Sequence, residues 1–135
     1  MEAGMSAAMD HGATDKLMDD IVDAFNRHDV NAIVDFFAED GVFQTARGTH
    51  NFGERIIGKA QIREFLTKRF ASVRDMRWEG VKNWHAGNRA VSEWRVQATS
   101  PSGERIDLLG CDIYEFENGK IKVKDTFWKS RETLT

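Results

Sequence analysis

Apolar residues in the first half of the chain recur at steps of three and four, which is the period of an amphipathic helix. One such stripe begins near Lys16, and another follows Gly58. Between them, Asp29 can cap a shorter helix for which Gly41 is the predicted C-terminal cap residue. We therefore expect three helices, with a short strand over residues 42–45 after the second. The three stripes are Leu17, Met18, Ile21, Val22 and Phe25, then Ile33, Phe36 and Phe37, then Ile62, Phe65, Leu66 and Arg69 or Phe70.

From Asp75 onward the apolar positions alternate with polar ones, which is the period of a half-buried strand. The last turn, Asn118-Gly119, is typical of a two-residue hairpin. Because short turns force neighbouring strands to run antiparallel, we expect a meander. Its four long strands are predicted over residues 76–85, 89–99, 105–117 and 120–128.

Helices followed by an antiparallel meander indicate an α+β fold. Three helices can cover only one face of such a sheet. If the sheet curves around them, it forms a cone with a pocket at its open end, and its other face meets solvent or a partner. Residues 1–15 have no apolar period and are predicted to be a flexible arm, residues 16–130 a single domain, and residues 131–135 a short tail.

The composition narrows the class of protein. With 135 residues, 41% of them hydrophobic, the chain can form one domain with a core and a cavity. Nineteen basic and 22 acidic side chains give a net charge of −3 without a basic block, which argues against nucleic acid as a partner. No apolar run reaches the roughly 18 residues of a membrane helix, and no signal peptide is recognisable. The single cysteine, Cys111, fits a reducing compartment, so we expect a cytoplasmic protein.

Metal ions and cofactors are not expected. The sequence has no His-x-His, Glu-x-x-His or paired-cysteine spacing that would offer metal ligands. It also lacks the glycine patterns of phosphate-binding and dinucleotide-binding loops. Any chemistry would then depend on side chains alone.

The third long strand contains the most informative acidic residue, Asp112. Alternate side chains of this strand point to opposite faces, and Asp112 belongs to the more apolar of the two sets. Asp112 should therefore face the helices and the pocket. A carboxyl group in a hydrophobic row must be paired, hydrogen-bonded or kept protonated. It can serve as a general acid, or it can be a structural aspartate bonded to a backbone amide or an arginine. The apolar or small neighbours of the same parity are Ile106, Leu108, Gly110, Tyr114 and Phe116.

The opposite parity of this strand carries the apolar row Leu109, Cys111 and Ile113. The helices cannot cover this face, and exposed apolar patches of this kind usually meet a partner. We therefore expect a homodimer through the outer sheet face. Nucleophilic catalysis by Cys111 is not expected, because it faces away from Asp112.

Three segments carry a family resemblance: Phe37-Ala38-Glu39-Asp40-Gly41-Val42-Phe43, Gly58-Lys59-Ala60-Gln61-Ile62-Arg63-Glu64-Phe65 and Phe116-Glu117-Asn118-Gly119-Lys120-Ile121. With them the chain, over about residues 16–130, resembles the nuclear transport factor 2-like superfamily, and within it the SnoaL-like and ketosteroid-isomerase-like proteins. The resemblance implies a cone-shaped α+β barrel of the cystatin-like kind, often dimeric through the outer sheet face. Members of the superfamily include isomerases, polyketide cyclases, dehydratases, epoxide hydrolases and many non-enzymes.

The resemblance to ketosteroid isomerase is partial. The pocket aspartate that donates to the oxyanion in that enzyme falls on Asp112. However, its general base falls near Thr45, which cannot act as a base, and its oxyanion tyrosine falls near Ile21. Steroid isomerisation by that mechanism is therefore not expected.

Two residues are candidates for the acid/base counterpart of Asp112. His50 lies in the glycine-rich loop after the first strand, near the expected mouth of the cone, and histidine titrates near neutrality. The alternative, which is the more usual one for a lone loop histidine, is that it is simply exposed. Asp125 lies on the last strand, where the cyclases and epoxide hydrolases of the resemblance often carry an acidic residue.

The parity of the last strand stays open. Apolar content points Ile121, Val123, Asp125 and Phe127 inward. The resemblance points Lys124, Thr126 and Trp128 inward instead, and a bulge would reconcile the two patterns. The residues predicted to contact a ligand are Phe25, Phe43, Thr45, Trp94, Tyr114, Lys124 and Trp128.

Two classes of function compete. The first is a cofactor-independent acid/base enzyme, of the isomerase, cyclase or dehydratase type, acting on a small, mostly apolar, carbonyl-bearing molecule. Asp112 would then donate or accept a proton, with His50 or Asp125 as its counterpart. The second is a non-catalytic ligand-binding or dimerisation module of the same fold, which the absence of the isomerase base and tyrosine favours. A protein-transport adaptor like the superfamily's namesake is a third, weaker hypothesis.

Overall fold

The computed structural model describes residues 12–131. Within these residues the chain forms three helices and six strands. Two helices come first, two strands precede the third helix, and four strands follow it, which confirms the α+β class. The helices are α1 (Asp15–Asn26), α2 (Val30–Asp35) and α3 (Lys59–Ser72). The strands are β1 (Phe37–Gln44), β2 (Arg55–Ile57), β3 (Arg77–Ala86), β4 (Arg89–Thr99), β5 (Arg105–Glu117) and β6 (Lys120–Trp128). No helix in this part of the chain is long and apolar enough to cross a membrane.

The first two helices begin at side-chain caps. Thr14 accepts a hydrogen bond from the Leu17 backbone N–H through its hydroxyl oxygen at 3.1 Å, and Asp29 accepts one from the Ala32 N–H at 3.1 Å. Each cap satisfies a backbone donor that has no partner within the helix. The predicted cap at Asp29 is thus confirmed.

The six strands form one curved, open sheet in the order β2-β1-β6-β5-β4-β3. Strands β3 to β6 are the predicted antiparallel meander. β1, however, pairs with β6 in parallel, so the sheet is mixed rather than purely antiparallel. The helices cover one face, where the core collects. The buried core residues of the sheet include Phe37, Val96, Tyr114, Phe116 and Ile121.

The second helix is shorter and the first strand longer than predicted. Gly41, predicted to cap the helix, lies inside β1, which already begins at Phe37. The Ile121 N–H donates to the Phe36 carbonyl oxygen at 2.8 Å, which draws this segment into the sheet. A Cβ atom at Gly41 would lie 2.8 Å from the Ile121 carbonyl oxygen, so the close approach of β6 requires glycine there.

The regions predicted to be irregular are partly ordered. β2 lies within the glycine-rich segment after β1, which the sequence predicts to be a loop. In the predicted arm, Ala13 is buried and its N–H donates to the Gly87 carbonyl oxygen at 3.0 Å. Residues 1–11 and 132–135, the rest of the predicted arm and most of the predicted tail, lie outside the described residues.

Candidate functional site

A cavity of about 890 Å³ lies between α1, α3 and the inner face of the sheet. We call it the main cavity. Its lining combines an aromatic and aliphatic wall with a comparable number of polar and charged side chains. The apolar wall contains Phe25, Phe43, Phe65, Leu66, Phe70, Val73, Met76, Trp78, Trp94, Ile106, Leu108 and Trp128. The polar lining contains Thr45, Arg47, Glu54, Arg69, Glu104, Arg105, Asp107, Lys124, Thr126, Ser130 and Arg131.

A buried polar cluster forms around Asp112. Lys124 donates to Asp112 Oδ1 at 2.8 Å, and the Thr126 hydroxyl donates to the same oxygen at 2.5 Å. The Trp94 indole N–H donates to Asp112 Oδ2 at 2.9 Å. Lys124 Nζ also lies 2.9 Å from Thr126 Oγ1. Asp112 is therefore both paired and hydrogen-bonded, which is what burial of a carboxylate requires.

Strand register brings these side chains together. Ser92, Asp112 and Thr126 lie opposite one another on β4, β5 and β6. Trp94 lies opposite Gly110, where a Cβ atom would come within 2.7 Å of the indole ring. The glycine thus makes room for the ring, whose N–H can then reach the carboxylate of Asp112, two residue pairs along the ladder.

A bulge on β6 settles which residues of that strand face inward. Ile121 lies opposite Phe116, but Val123 lies opposite Glu115, so the register shifts between these pairs. Ile121 is therefore buried on the inner face, and so are Lys124 and Thr126 beyond the shift.

Burial dominates the electrostatics of Lys124. Its side chain is buried, and desolvation lowers its pKa from the ordinary lysine value, although Asp112 acts in the opposite direction. Its Nζ lies 4.1 Å from the ring centroid of Phe43 and 5.0 Å from that of Phe25. The result is an amine in apolar surroundings whose charge depends on one carboxylate.

Behind Lys124 lies a small inner chamber of about 20 Å³, bounded by Val22, Phe25, Trp78, Ser92, Trp94, Asp112, Tyr114 and Lys124. Ser92 is 1% exposed, and its hydroxyl oxygen has no hydrogen-bond partner in the part of the chain that the structure describes. A space of this size holds about one water-sized group. Burial and the nearby Asp112 raise the pKa of Tyr114 well above its ordinary value, so its phenol stays neutral.

The structure brings most of the predicted ligand contacts to the cavities. Six of them line the main cavity: Phe25, Phe43, Thr45, Trp94, Lys124 and Trp128. Tyr114 lines the inner chamber. Asp112 also lines only the inner chamber, because Lys124 and Thr126 stand between it and the main cavity.

The two predicted counterparts of Asp112 lie elsewhere. His50 is exposed in the loop between β1 and β2, where its ring stacks on Phe52 at 5.1 Å, and it does not line the main cavity. Asp125 lies opposite Ile113, on the sheet face that points away from the helices. Asp125 lies on the same face of β6 as the exposed Phe127, because the bulge exchanges the inner and outer faces beyond Ile121. The structure therefore places neither residue beside Asp112.

Three functional candidates went unrecognised in the sequence. Thr126 and Ser92 are cross-strand neighbours of Asp112, a relation that becomes visible only once the register is known. Arg69 was weighed only as a buried helix position, yet it lines the main cavity. Among residues 12–131, no group of three His, Cys, Asp or Glu side chains is placed to hold a metal ion.

The fold and its inner-face cavity define a class: cone-shaped α+β proteins with a ligand-sized pocket. Solved structures that share the fold include the following three. A candidate polyketide cyclase from Xanthomonas campestris pv. campestris is 23% identical, with a TM-score of 0.74 over 84% of this chain and 88% of that one. A protein of ketosteroid isomerase-like fold from Catenulispora acidiphila, in complex with trimethylamine, is 16% identical, with a TM-score of 0.72 over 85% and 86%. TerC, co-crystallised with polyporic acid, is 20% identical, with a TM-score of 0.72 over 84% and 89%.

The family model described as SnoaL-like domain matches residues 18–123. The chain therefore belongs to the SnoaL-like domain family, as its resemblance implied. A search of functionally curated proteins found no match.

Proposed function

We propose that this protein is a cofactor-independent acid/base enzyme of the isomerase or cyclase type, acting on a small, mostly apolar ketone in the main cavity. The observation that carries this function is the buried Asp112–Lys124 pair in the cavity wall. Family membership and the candidate cyclase among the structural neighbours agree with it.

Lys124 is the group of this pair that faces the substrate. It lines both the main cavity and the inner chamber, whereas Asp112 lines only the inner chamber. Burial lowers the pKa of Lys124, which favours the neutral amine that can accept a proton. Asp112 accepts a hydrogen bond from Nζ at 2.8 Å and so fixes the position of the amine. Asp112 is thus a positioning residue that acts through Lys124.

One proton transfer in each direction completes the reaction. The Lys124 amine takes a proton from the carbon next to the carbonyl group, and the electron pair of that C–H bond becomes the enolate. Where the substrate carries a C=C bond next to that carbon, the electron pair extends over a dienolate, and the resulting ammonium returns the proton to its far carbon, so isomerisation consumes no co-reactant. In the cyclase variant, the enolate carbon attacks a second carbonyl group, whose π electrons move to its oxygen, and the ammonium protonates the resulting alkoxide.

The substrate oxygen fits the inner chamber. Ser92 can donate its hydroxyl proton to an enolate oxygen there, since no protein partner among the described residues uses it. The aromatic side chains Phe25, Trp78 and Trp94 border both spaces and would pack on a flat, conjugated substrate.

A second candidate function is ligand binding without turnover. The observation that favours it is the saturation of Asp112, whose two oxygens already accept bonds from Lys124, Thr126 and Trp94. In that case the cluster would only hold three strands together under an apolar ligand site.

Hydrogen exchange separates these functions. 1-Indanone, 2-tetralone and propiophenone are incubated with the protein in D₂O, and deuteration next to the carbonyl group is followed by proton NMR. We expect the wild-type protein to accelerate exchange of at least one ketone, and Lys124→Met to lower that acceleration about 100-fold. Lys122→Met is the matched control, because Lys122 lies on the same strand and pairs with Asp40 outside the cavity.

Lys124→Met can lose stability because it leaves Asp112 without its cation. The double variant Asp112→Asn/Lys124→Met removes both charges, and circular dichroism verifies its fold. A folded double variant that accelerates ketone hydrogen exchange as much as the wild-type protein does would overturn the proposed enzyme function. Ketone binding without any acceleration by the wild-type protein would overturn it as well and establish ligand binding instead.

A further inference from the structure

Arg69 extends from α3 into the main cavity. It is half-buried, and its guanidinium carbon lies 5.0 Å from the centroid of the Phe65 ring. Among residues 12–131, no carboxylate lies within ion-pair distance of it. Burial lowers the pKa of Arg69 from its ordinary value, so the position costs free energy that no acidic neighbour in this part of the chain offsets.

Three acidic side chains line the cavity: Glu104 is exposed and outside ion-pair distance of Arg69, and the other two, Asp107 and Glu54, are engaged elsewhere. Asp107 forms a two-point ion pair with Arg95, at 2.7 and 2.6 Å. Glu54 accepts bonds from the backbone N–H and the hydroxyl of Thr49, at 2.9 and 3.2 Å.

The other buried cation of the cavity already has its anion. Lys124 is paired with Asp112. Arg69 repels the Lys124 ammonium and so contributes to the lowered pKa of Lys124. Five cationic and three anionic side chains line the main cavity, although the whole chain has a net charge of −3. Since Asp112 adds one anion behind Lys124, the cavity keeps an excess of positive charge, and Arg69 is the half-buried part of it.

We propose that Arg69 binds a carboxylate of the substrate, so that the enzyme acts on keto acids with an aromatic or otherwise apolar body. This substrate class rests on the proposed function for its reactive end, which is the ketone at Lys124. The guanidinium presents a planar fork of N–H donors that matches the two oxygens of a carboxylate. A carboxylate there would supply the anion that Arg69 lacks, while the aromatic wall packs on the body of the molecule.

Binding of a matched ligand pair tests this site. 4-Oxo-4-phenylbutanoate and its methyl ester differ in one negative charge, and quenching of the cavity tryptophans reports the affinity of each. We expect the wild-type protein to bind the acid about tenfold more tightly than the ester, or better, as for a charge-assisted hydrogen bond. Arg69→Met should abolish the preference, and Arg69→Lys should keep part of it, because it retains the charge without the fork.

The control is Arg63→Met, since Arg63 lies exposed on the same helix and binds Asn31 rather than the cavity. It should keep the full preference for the acid. A wild-type protein without such a preference, or an equal preference in folded Arg69→Met, would overturn the carboxylate site. This binding ratio requires no turnover, whereas exchange of neutral ketones requires no carboxylate, so the two experiments can fail separately.

Discussion

Lys124 Nζ lies 2.8 Å from Asp112 Oδ1, and neither side chain is more than 8% exposed. Two charges in such a position lose their hydration and depend on each other and on their remaining hydrogen bonds. Thr126 and Trp94 supply those bonds to Asp112, while the rings of Phe25 and Phe43 flank Lys124. The pair is thus held rigidly at the boundary between the main cavity and the inner chamber, where a reacting carbonyl group would lie.

Breaking this pair should cost more stability than removing it. We expect Lys124→Met to lower the free energy of unfolding by about 3–5 kcal/mol, because a buried carboxylate remains without its cation. Asp112→Asn/Lys124→Met should cost clearly less, since no unpaired charge is left. Urea denaturation of the wild-type protein and three variants, Asp112→Asn included, measures this double-mutant cycle. Costs that simply add would show that the two groups are not coupled.

Asp112 could be located from the sequence because β5 alternates regularly between an apolar and a mixed face. Lys124 could not be placed with the same certainty. Its strand contains a bulge near Val123, and a shift of one residue exchanges the inner and outer faces. The parity predicted from apolar content therefore holds only at Ile121, and the parity implied by the resemblance holds beyond the shift, at Lys124 and Thr126.

The helix-to-strand boundary before Gly41 shows a different limit. The apolar pattern of residues 33–37 continues a helix as well as it starts a strand, and the outcome depends on parallel pairing with β6, more than 80 residues later. Arg69 was ambiguous for a related reason. A helix position at the edge of the apolar stripe can be core or cavity, and only the packing of α3 against the sheet decides.

Asp125→Asn tests the orientation of β6 directly. Because Asp125 lies opposite Ile113 on the outer face, we expect ketone exchange to stay within about twofold of wild type, the range of an ordinary surface substitution. The NMR exchange assay measures it beside Lys124→Met, one residue away. A loss as large as that of Lys124→Met would place Asp125 in the reaction and contradict the bulge.

Ser92→Ala should impair function without impairing stability. The Ser92 hydroxyl has no protein partner in the described chain, so its loss should not lower the free energy of unfolding. If it donates to the enolate oxygen, exchange should slow about tenfold or more. Ser72→Ala, at the exposed end of α3, is the matched control. Normal exchange by Ser92→Ala would remove the inner chamber from the proposed mechanism.

We propose that the outer sheet face pairs with a second copy of the chain. Leu109 is 56% exposed there, beside the half-exposed Phe127 and the partly exposed Ile113 and Cys111. Leu109→Asp should shift a wild-type dimer to monomer in sedimentation velocity at micromolar concentration, because a charge would be buried in the contact. Ile57→Asp, equally aliphatic and 49% exposed on β2, should leave the dimer intact. A monomeric wild-type protein would contradict this interface.

Tyr114, the single tyrosine of the chain, makes the buried site visible in an alkaline titration. Burial and the nearby Asp112 raise the pKa of its phenol, whereas in the unfolded chain the phenol has a pKa of about 10. Above that pH the unfolded state therefore binds fewer protons than the folded state, so this group makes the free energy of unfolding fall as the pH rises. We expect tyrosinate absorbance to appear only together with unfolding, as followed by circular dichroism.

The control is Tyr114→Phe, whose free energy of unfolding should fall less steeply than that of the wild-type protein over the same pH range. Tyrosinate forming near its ordinary pKa in the folded protein would mean that the inner chamber is open to water, and the low-dielectric setting that lowers the pKa of Lys124 would then be absent.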